Sequence, residues 1–373
     1  MEANGNIAAT EKGGYAHFML KEIHEQPQAL QQTIAPYLET DSGPLANFLT
    51  AAQAQSLRKL YIVACGTSHH AGLVGKHAIE SLARLSVEVD LASEFRYRNP
   101  LLDEHTAVLV ISQSGETADT LASLQEAQRR GCPVWAITNV QNSSIAQQAD
   151  AVLPTLAGTE VAIASTKAYT AQLAVLLLLA VHLAELRQTR PAADLAAIRQ
   201  GLRELPQAVQ AALEYGSFLQ GLANQIAEQE LIFFMGWGVD YAGALEAALK
   251  LKETSYIHAG ALAAGELRHG PIALITEKAF MVCLQTQPHL RHRMQGNMQE
   301  VLAKGGKILL VDTDASPGAE DPGLLRVSLP QVHPLLAPIV SIVPLQLLAY
   351  YVAVARGCNV DKPRNLNKSV TIE

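Results

Sequence analysis

The run Val108-Leu109-Val110-Ile111-Ser112-Gln113-Ser114-Gly115-Glu116-Thr117 could hold a phosphate. An apolar, β-branched stretch stops at a hydroxyl-rich turn, and a helix-compatible segment follows from Ala118, so the chain reads as strand, loop and helix N-terminus. Such a junction presents unpaired N–H groups and the positive end of a helix dipole. Ser112, Ser114 and Thr117 add hydroxyl donors and Gln113 an amide, whereas an ordinary N-cap needs only one of them. The loop has no Lys and does not fit the P-loop pattern, which favours a phosphomonoester over a nucleoside triphosphate. A second candidate is Lys250-Leu251-Lys252-Glu253, where Lys250 and Glu253 are three apart and share a helix face. An arbitrary K-x-x-E is a surface ion pair. Here Ala242, Ala244, Leu245, Ala247, Ala248 and Leu249 make the helix almost wholly buried, where an idle pair is costly.

The elements that must position these groups alternate from about Leu60 onward. Strand candidates are Leu60–Ala64, Val87–Leu91, Ala107–Ile111, Val134–Thr138 and Ala151–Leu153, with helical segments between most of them. That is the pattern of an α/β fold with a parallel sheet covered on both faces. After a helical, polar stretch from Pro191 to Glu230 the pattern returns, at Leu231–Met235, Phe280–Gln285, Lys307–Val311 and Leu325–Leu329. The halves read as a diverged repeat. Gln125-Glu126 precedes Gly131 and a strand as Gln299-Glu300 precedes Gly305 and a strand. In that register Ser112 falls opposite Thr286 and Ser114 opposite Pro288, so the second half has lost the phosphate loop. The expected division is an arm over 1–40, a first doubly wound domain over 41–190, a helical linker over 191–225, a second domain over 226–355 and a tail over 356–373.

Composition sets limits. The 373 residues are 49% apolar and 17% charged, enough for two cored domains. A net charge of −7 without basic clusters argues against nucleic acid and acidic membranes. Cys65, Cys132, Cys283 and Cys358 are scattered, and no pair has metal-ligand spacing. Met1 to Gly14 lacks the apolar core of a signal peptide. Leu173 to Val181 is too short to span a membrane, and Pro334 to Ala355 carries Pro338, Ser341, Pro344 and Gln346; both read as buried helices. A cytoplasmic protein without membrane contact is expected.

Five segments carry a resemblance: VISQSGETADTL, GTEVAIASTKAYT, ALKLKETSYIHA, AAGELRHGPIAL and the tail DKPRNLNKSVTIE. Together they closely resemble the two-domain sugar isomerase (SIS) half of glucosamine-6-phosphate synthases, from about Tyr15 to Glu373. The synthases carry an N-terminal glutaminase domain, and no such sequence precedes the sugar domains here, where Met1 is followed by Glu2. The chain is therefore similar to stand-alone relatives such as isomerising glucosamine-6-phosphate deaminases.

Carried over residue by residue, the resemblance implies that Ser112, Gln113, Ser114 and Thr117 bind the substrate phosphate, with Ser68 beside them. Cys65, Gly66 and Thr67 belong to the same turn, Cys65 as a wall residue. By their types alone, Thr67 and Ser68 could be helix caps and Cys65 plain packing. Ile163, Ala164 and Ser165 match a loop lining the sugar hydroxyls; Glu160 and Lys167 lie nearby without an assigned role. Glu253 matches the family's enolisation base, a carboxylate able to carry a proton between C1 and C2 beside a carbonyl or imine. Lys250 matches the lysine that supports this transfer. His269, in a Gly265-to-Pro271 segment that reads as a loop, matches a ring-opening histidine delivered by the partner subunit, which implies a homodimer with a shared active site. Lys368 matches a tail lysine that closes over the sugar and can form a Schiff base with the keto form. Pro363, Val370 and Ile372 suggest that this tail docks.

Two positions depart from the family. Trp237 stands where the synthases have Arg, and Gly260 where they have Glu. The expectation that results is isomerising deamination of glucosamine 6-phosphate to fructose 6-phosphate and ammonia, without metal or organic cofactor. Alternatives are ammonia-dependent synthesis of glucosamine 6-phosphate, a fructosamine-phosphate deglycase, and a non-catalytic sugar-phosphate sensor.

Overall fold

The computed structural model describes residues 11–39, 43–313 and 321–371. The first ten residues of the expected arm, its junction with the first domain at 40–42, and Ile372 lie outside the described residues. The chain folds into two compact units. Among the described residues, one comprises residues 25–39, 43–160, 167–206 and 367–371, and the other residues 11–24, 161–166, 207–313 and 321–366.

The first unit is built on a five-stranded parallel sheet ordered β2-β1-β3-β4-β5, from β1 (Lys59–Ala64), β2 (Ser86–Leu91), β3 (Thr106–Ser112), β4 (Val134–Thr138) and β5 (Ala151–Pro154). Every residue of β3 and β4 is buried, as expected for central strands covered on both faces. The order reverses between β1 and β3, and ligands of open α/β sheets bind in the crevice at such a switch point. The register aligns Ala64 with Ile111, so the turn at Cys65 and the loop at Ser112 leave the sheet side by side.

The second unit repeats the plan. Its strands are β6 (Leu231–Gly236), β7 (His258–Ala263), β8 (Phe280–Gln285), β9 (Lys307–Asp312) and β10 (Leu324–Ser328), ordered β10-β9-β8-β6-β7 and all parallel. Read from the β7 edge, this is the order of the first sheet, so β6 and β8 are the counterparts of β1 and β3. Strand β7 is absent from the sequence reading because His258-Ala259-Gly260-Ala261 lacks the β-branched residues that mark a strand. Among the described residues it is an edge strand, paired with β6 alone. The expected linker is two helices, Ala192–Leu213 and Gly216–Ile226. The two long apolar segments form Lys167–Leu186 and Ala337–Ala355, both almost entirely buried within the protein. A helix apolar all round belongs in a core.

Candidate functional site

In the first unit, β3 ends at Ser112 and the helix Ala118–Arg129 begins six residues later. The loop between them is rigidly internally bonded. The Gly115 N–H donates to Ser112 Oγ at 3.0 Å, the Glu116 N–H donates to Ser114 Oγ at 3.2 Å, and the hydroxyls of Ser112 and Thr117 are 2.9 Å apart. Ser114 Oγ, which accepts a backbone N–H, keeps its own proton to donate, whereas one of the Ser112 and Thr117 hydroxyls donates to the other. Thr117 occupies the N-cap position but its side chain makes no capping bond, so capping does not account for it. Gly115 is required sterically: its φ is +67°, and a Cβ there would lie 1.9 Å from Ser143 Oγ. The Glu116 carboxylate turns away to accept the Ser144 N–H at 2.8 Å and hydroxyl at 2.7 Å, and these bonds hold its pKa below the ordinary carboxylate value.

Beside this loop, Cys65 caps the helix Gly66–Ala83, and Ser68 lies in its first turn. Ser68 Oγ accepts from Gln172 Nε2 at 3.0 Å and so also retains its proton. Cys65 Sγ lies 3.9 Å from Thr120 Oγ1 against the core, and burial raises its thiol pKa, which fits a wall residue rather than a nucleophile. A cleft of about 690 Å³ adjoins the loop, lined in part by Gln113, Asn139, Asn142, Gly158 and Glu160. The tail returns to the same unit. Ala118 N donates to the Val370 carbonyl at 3.0 Å, and Lys368 Nζ lies 2.6 Å from Glu160 Oε2.

The second unit carries a separate set. The helix Val239–Ser255 places Glu246, Lys250 and Glu253 along one stripe. Lys250 Nζ is 3.4 Å from Glu246 Oε1 and bonds Glu253 Oε1 directly. Side chains of Lys250 and Glu246 are 1% and 0% exposed, while Glu253 keeps 16%. Of the three, the carboxylate with access to solvent is Glu253. The sequence reading missed Glu246, although its i,i+4 spacing to Lys250 was visible; Gln172, 104 residues from Ser68, has no local signal at all.

His269 lies in a 3₁₀ turn, Ala264–His269, and not in an irregular loop. Glycines and proline at 265, 270 and 271 suggested a loop, but Gly265 serves packing. A Cβ there would come within 2.9 Å of Trp237 Cη2. Asn297 Nδ2 donates to the Ala264 carbonyl at 2.6 Å, and Arg268 pairs with Glu300, leaving the His269 side chain exposed. Trp237 thus fills the space behind this turn, with the Arg293 guanidinium 5.9 Å from its ring. Gly260 lies on β7 opposite Phe233. Ile163, Ala164 and Ser165 belong to this unit as well. The Ile163 N–H donates to the Asp361 carbonyl at 3.1 Å, and the Glu22 carboxylate accepts the Ala162 N–H at 3.2 Å. The expected residues therefore divide: the phosphate loop, the Cys65–Ser68 turn and Lys368 fall in one unit, and Glu253, Lys250, His269 and the 163–165 segment in the other. Among the described residues, no group of three His, Cys, Asp or Glu side chains is placed to hold a metal ion.

Comparison with known proteins agrees with this architecture. The SIS domain model matches residues 55–182 and 225–356. A glutamine–fructose-6-phosphate aminotransferase (isomerizing) of Symbiobacterium thermophilum is 50% identical over 376 residues, covering 100% of this chain and 62% of that protein. The chain thus spans about three fifths of that relative's length. Among solved structures, the C-terminal domain of glucosamine-fructose-6-phosphate aminotransferase from Francisella tularensis superposes with a TM-score of 0.91 at 37% identity, covering 95% of this chain and 100% of that one. A glucosamine-6-phosphate deaminase from Thermotoga maritima shares the fold, with a TM-score of 0.72 at 22% identity over 95% of this chain and 99% of that one. The chain belongs to the SIS domain family, carries two copies of the domain, and matches the isomerase half of glutamine–fructose-6-phosphate aminotransferases.

Proposed function

We propose that this protein is an aminosugar-phosphate isomerase that deaminates glucosamine 6-phosphate to fructose 6-phosphate and ammonia. The observation that carries the reading is the buried Glu246–Lys250–Glu253 stripe, which leaves one carboxylate accessible beside a fixed ammonium. In this reading Ser112, Gln113, Ser114, Thr117 and Ser68 hold the phosphate. His269, supplied by a second copy of the chain, passes a proton between O5 and O1 and opens the ring. Glu253 then takes the proton from C2 and returns it to C1 while a second proton passes from the C2 nitrogen to O1, which converts the C2 amine to an imine and C1 to a hydroxymethyl group. Water adds to C2, and ammonia leaves. Lys250 orients Glu253, and Lys368 acts on the keto side.

Direction follows from the supply of nitrogen. The four thiols of the sequence lie within the sugar-domain units, and burial raises the pKa of Cys65, Cys132 and Cys283. None of these three is an activated thiolate. Where the exchange at C2 draws on free ammonia or water, water is the more abundant and favours deamination. Synthesis of glucosamine 6-phosphate from fructose 6-phosphate and ammonia is the second reading, favoured by the 50% identity to an aminotransferase. Incubating the pure protein with glucosamine 6-phosphate, and separately with fructose 6-phosphate plus ammonium, separates the two. Ready ammonia release supports deamination; efficient synthesis at low ammonium with negligible release supports the alternative.

A further inference from the structure

The ion pair between Glu160 and Lys368 is built more firmly than a tail contact requires. Glu160 is fully buried at its side chain, and both of its oxygens are engaged: Oε2 with Lys368 Nζ at 2.6 Å, and Oε1 with the Ala168 N–H at 3.1 Å. Ala168 stands at the start of the buried helix Lys167–Leu186, so the carboxylate is fixed to a long core helix of the unit. The neighbouring Lys167 does not compete for it, because its Nζ is paired with Glu25 at 2.7 Å. Two residues beyond Lys368, the Val370 carbonyl accepts the Ala118 N–H directly after Thr117 of the phosphate loop. The tail is therefore fastened at two points within one unit, and Glu160 also lines the cleft that Gln113 enters from the loop.

A lysine is a point charge on four flexible carbons and does not hold a position by itself. We infer that Glu160 is the positioning residue for Lys368: it seats the C-terminal tail against the phosphate-loop helix and fixes where the Lys368 amine rests. The inference rests on the role proposed above for Lys368 and names the residue on which that role depends. Glu160 needs no contact with the sugar to act in this way. Its effect should appear in turnover far more than in substrate affinity, which the hydroxyl loop supplies.

A double-mutant cycle with glucosamine 6-phosphate tests this, read as ammonia release. Glu160→Gln should lower kcat by about tenfold to a hundredfold, the scale of a misplaced catalytic group, with KM nearly unchanged, and Glu160→Asp should recover part of the loss. In a Lys368→Met background, Glu160→Gln should add less than about twofold, because coupled residues are not additive. An equal loss in both backgrounds, or a rise in KM without a fall in kcat, would overturn the inference. Hydrogen exchange gives a readout independent of turnover. Glu160→Gln should speed exchange in peptides covering Ala118 and the tail, and unchanged exchange there would overturn the seating role. If the wild-type protein releases no ammonia, the proposed function fails, and the exchange measurement still decides the seating.

Discussion

The carboxylate of Asp240, in the first turn of the helix Val239–Ser255, accepts the Thr286 N–H at 2.7 Å and also bonds the Thr286 hydroxyl. Thr286 follows β8, the counterpart of β3, so it stands where the first unit opens its hydroxyl loop. In the second unit an internal carboxylate takes the donors at this position. Burial pushes the pKa of Asp240 up to about 6 from 3.8. Between those values the folded protein holds a proton that the unfolded chain has lost, so Asp240 contributes most to stability below pH 4, and this contribution is lost as pH rises through 6. Relative to Asp240→Asn, the wild type should lose on the order of 3 kcal/mol between pH 4 and 7. Denaturant titrations of both proteins across this range check the slope; parallel pH curves would contradict it.

Phosphate recognition should depend on individual hydroxyls. Each one donating to a dianion is worth roughly 1.5–3 kcal/mol, so Ser114→Ala should raise KM about tenfold or more. Unphosphorylated glucosamine should be a very poor substrate. Comparable turnover of glucosamine with and without its phosphate would remove the loop from the site.

Lys250 neutralises two carboxylates in a place with almost no water. Its replacement by Met should destabilise the second unit by about 3–5 kcal/mol, since it leaves buried charge uncompensated. Glu253→Gln should cost much less, because Glu246 still faces the ammonium at 3.4 Å. Thermal unfolding of the two variants gives the order, and equal losses would contradict it.

Much of this was legible in the chain. Strand-to-loop junctions at Ser112 and Cys65 announce themselves by apolar runs that stop abruptly, and the repeat predicts two sheets of the same topology. Strand β7 escaped because Ala and Gly carry no strand signal, and the 3₁₀ turn before His269 was hidden by glycines that serve packing against Trp237. Gln172 and the Glu160–Lys368 pair are tertiary facts: 104 and 208 residues separate the partners, and no local pattern encodes such distances.

In the proposed mechanism His269 serves the neighbouring subunit's site. Mixing inactive Glu253→Gln and His269→Ala proteins under conditions of subunit exchange should restore activity, with about half the sites of each mixed two-fold dimer intact. Exchange without recovery would place His269 elsewhere.

The central claim is that Glu253 moves the proton that converts an aminosugar phosphate to a keto sugar phosphate. The direct measurement is the rate of ammonia and fructose 6-phosphate release from glucosamine 6-phosphate, for the wild type and for Glu253→Gln, both assayed well below their unfolding temperatures. The account predicts equimolar release by the wild type, with glutamine having no effect, and a loss of about a hundredfold or more in kcat for the variant. Turnover by Glu253→Gln at the wild-type rate, or no ammonia from the wild type, would contradict it.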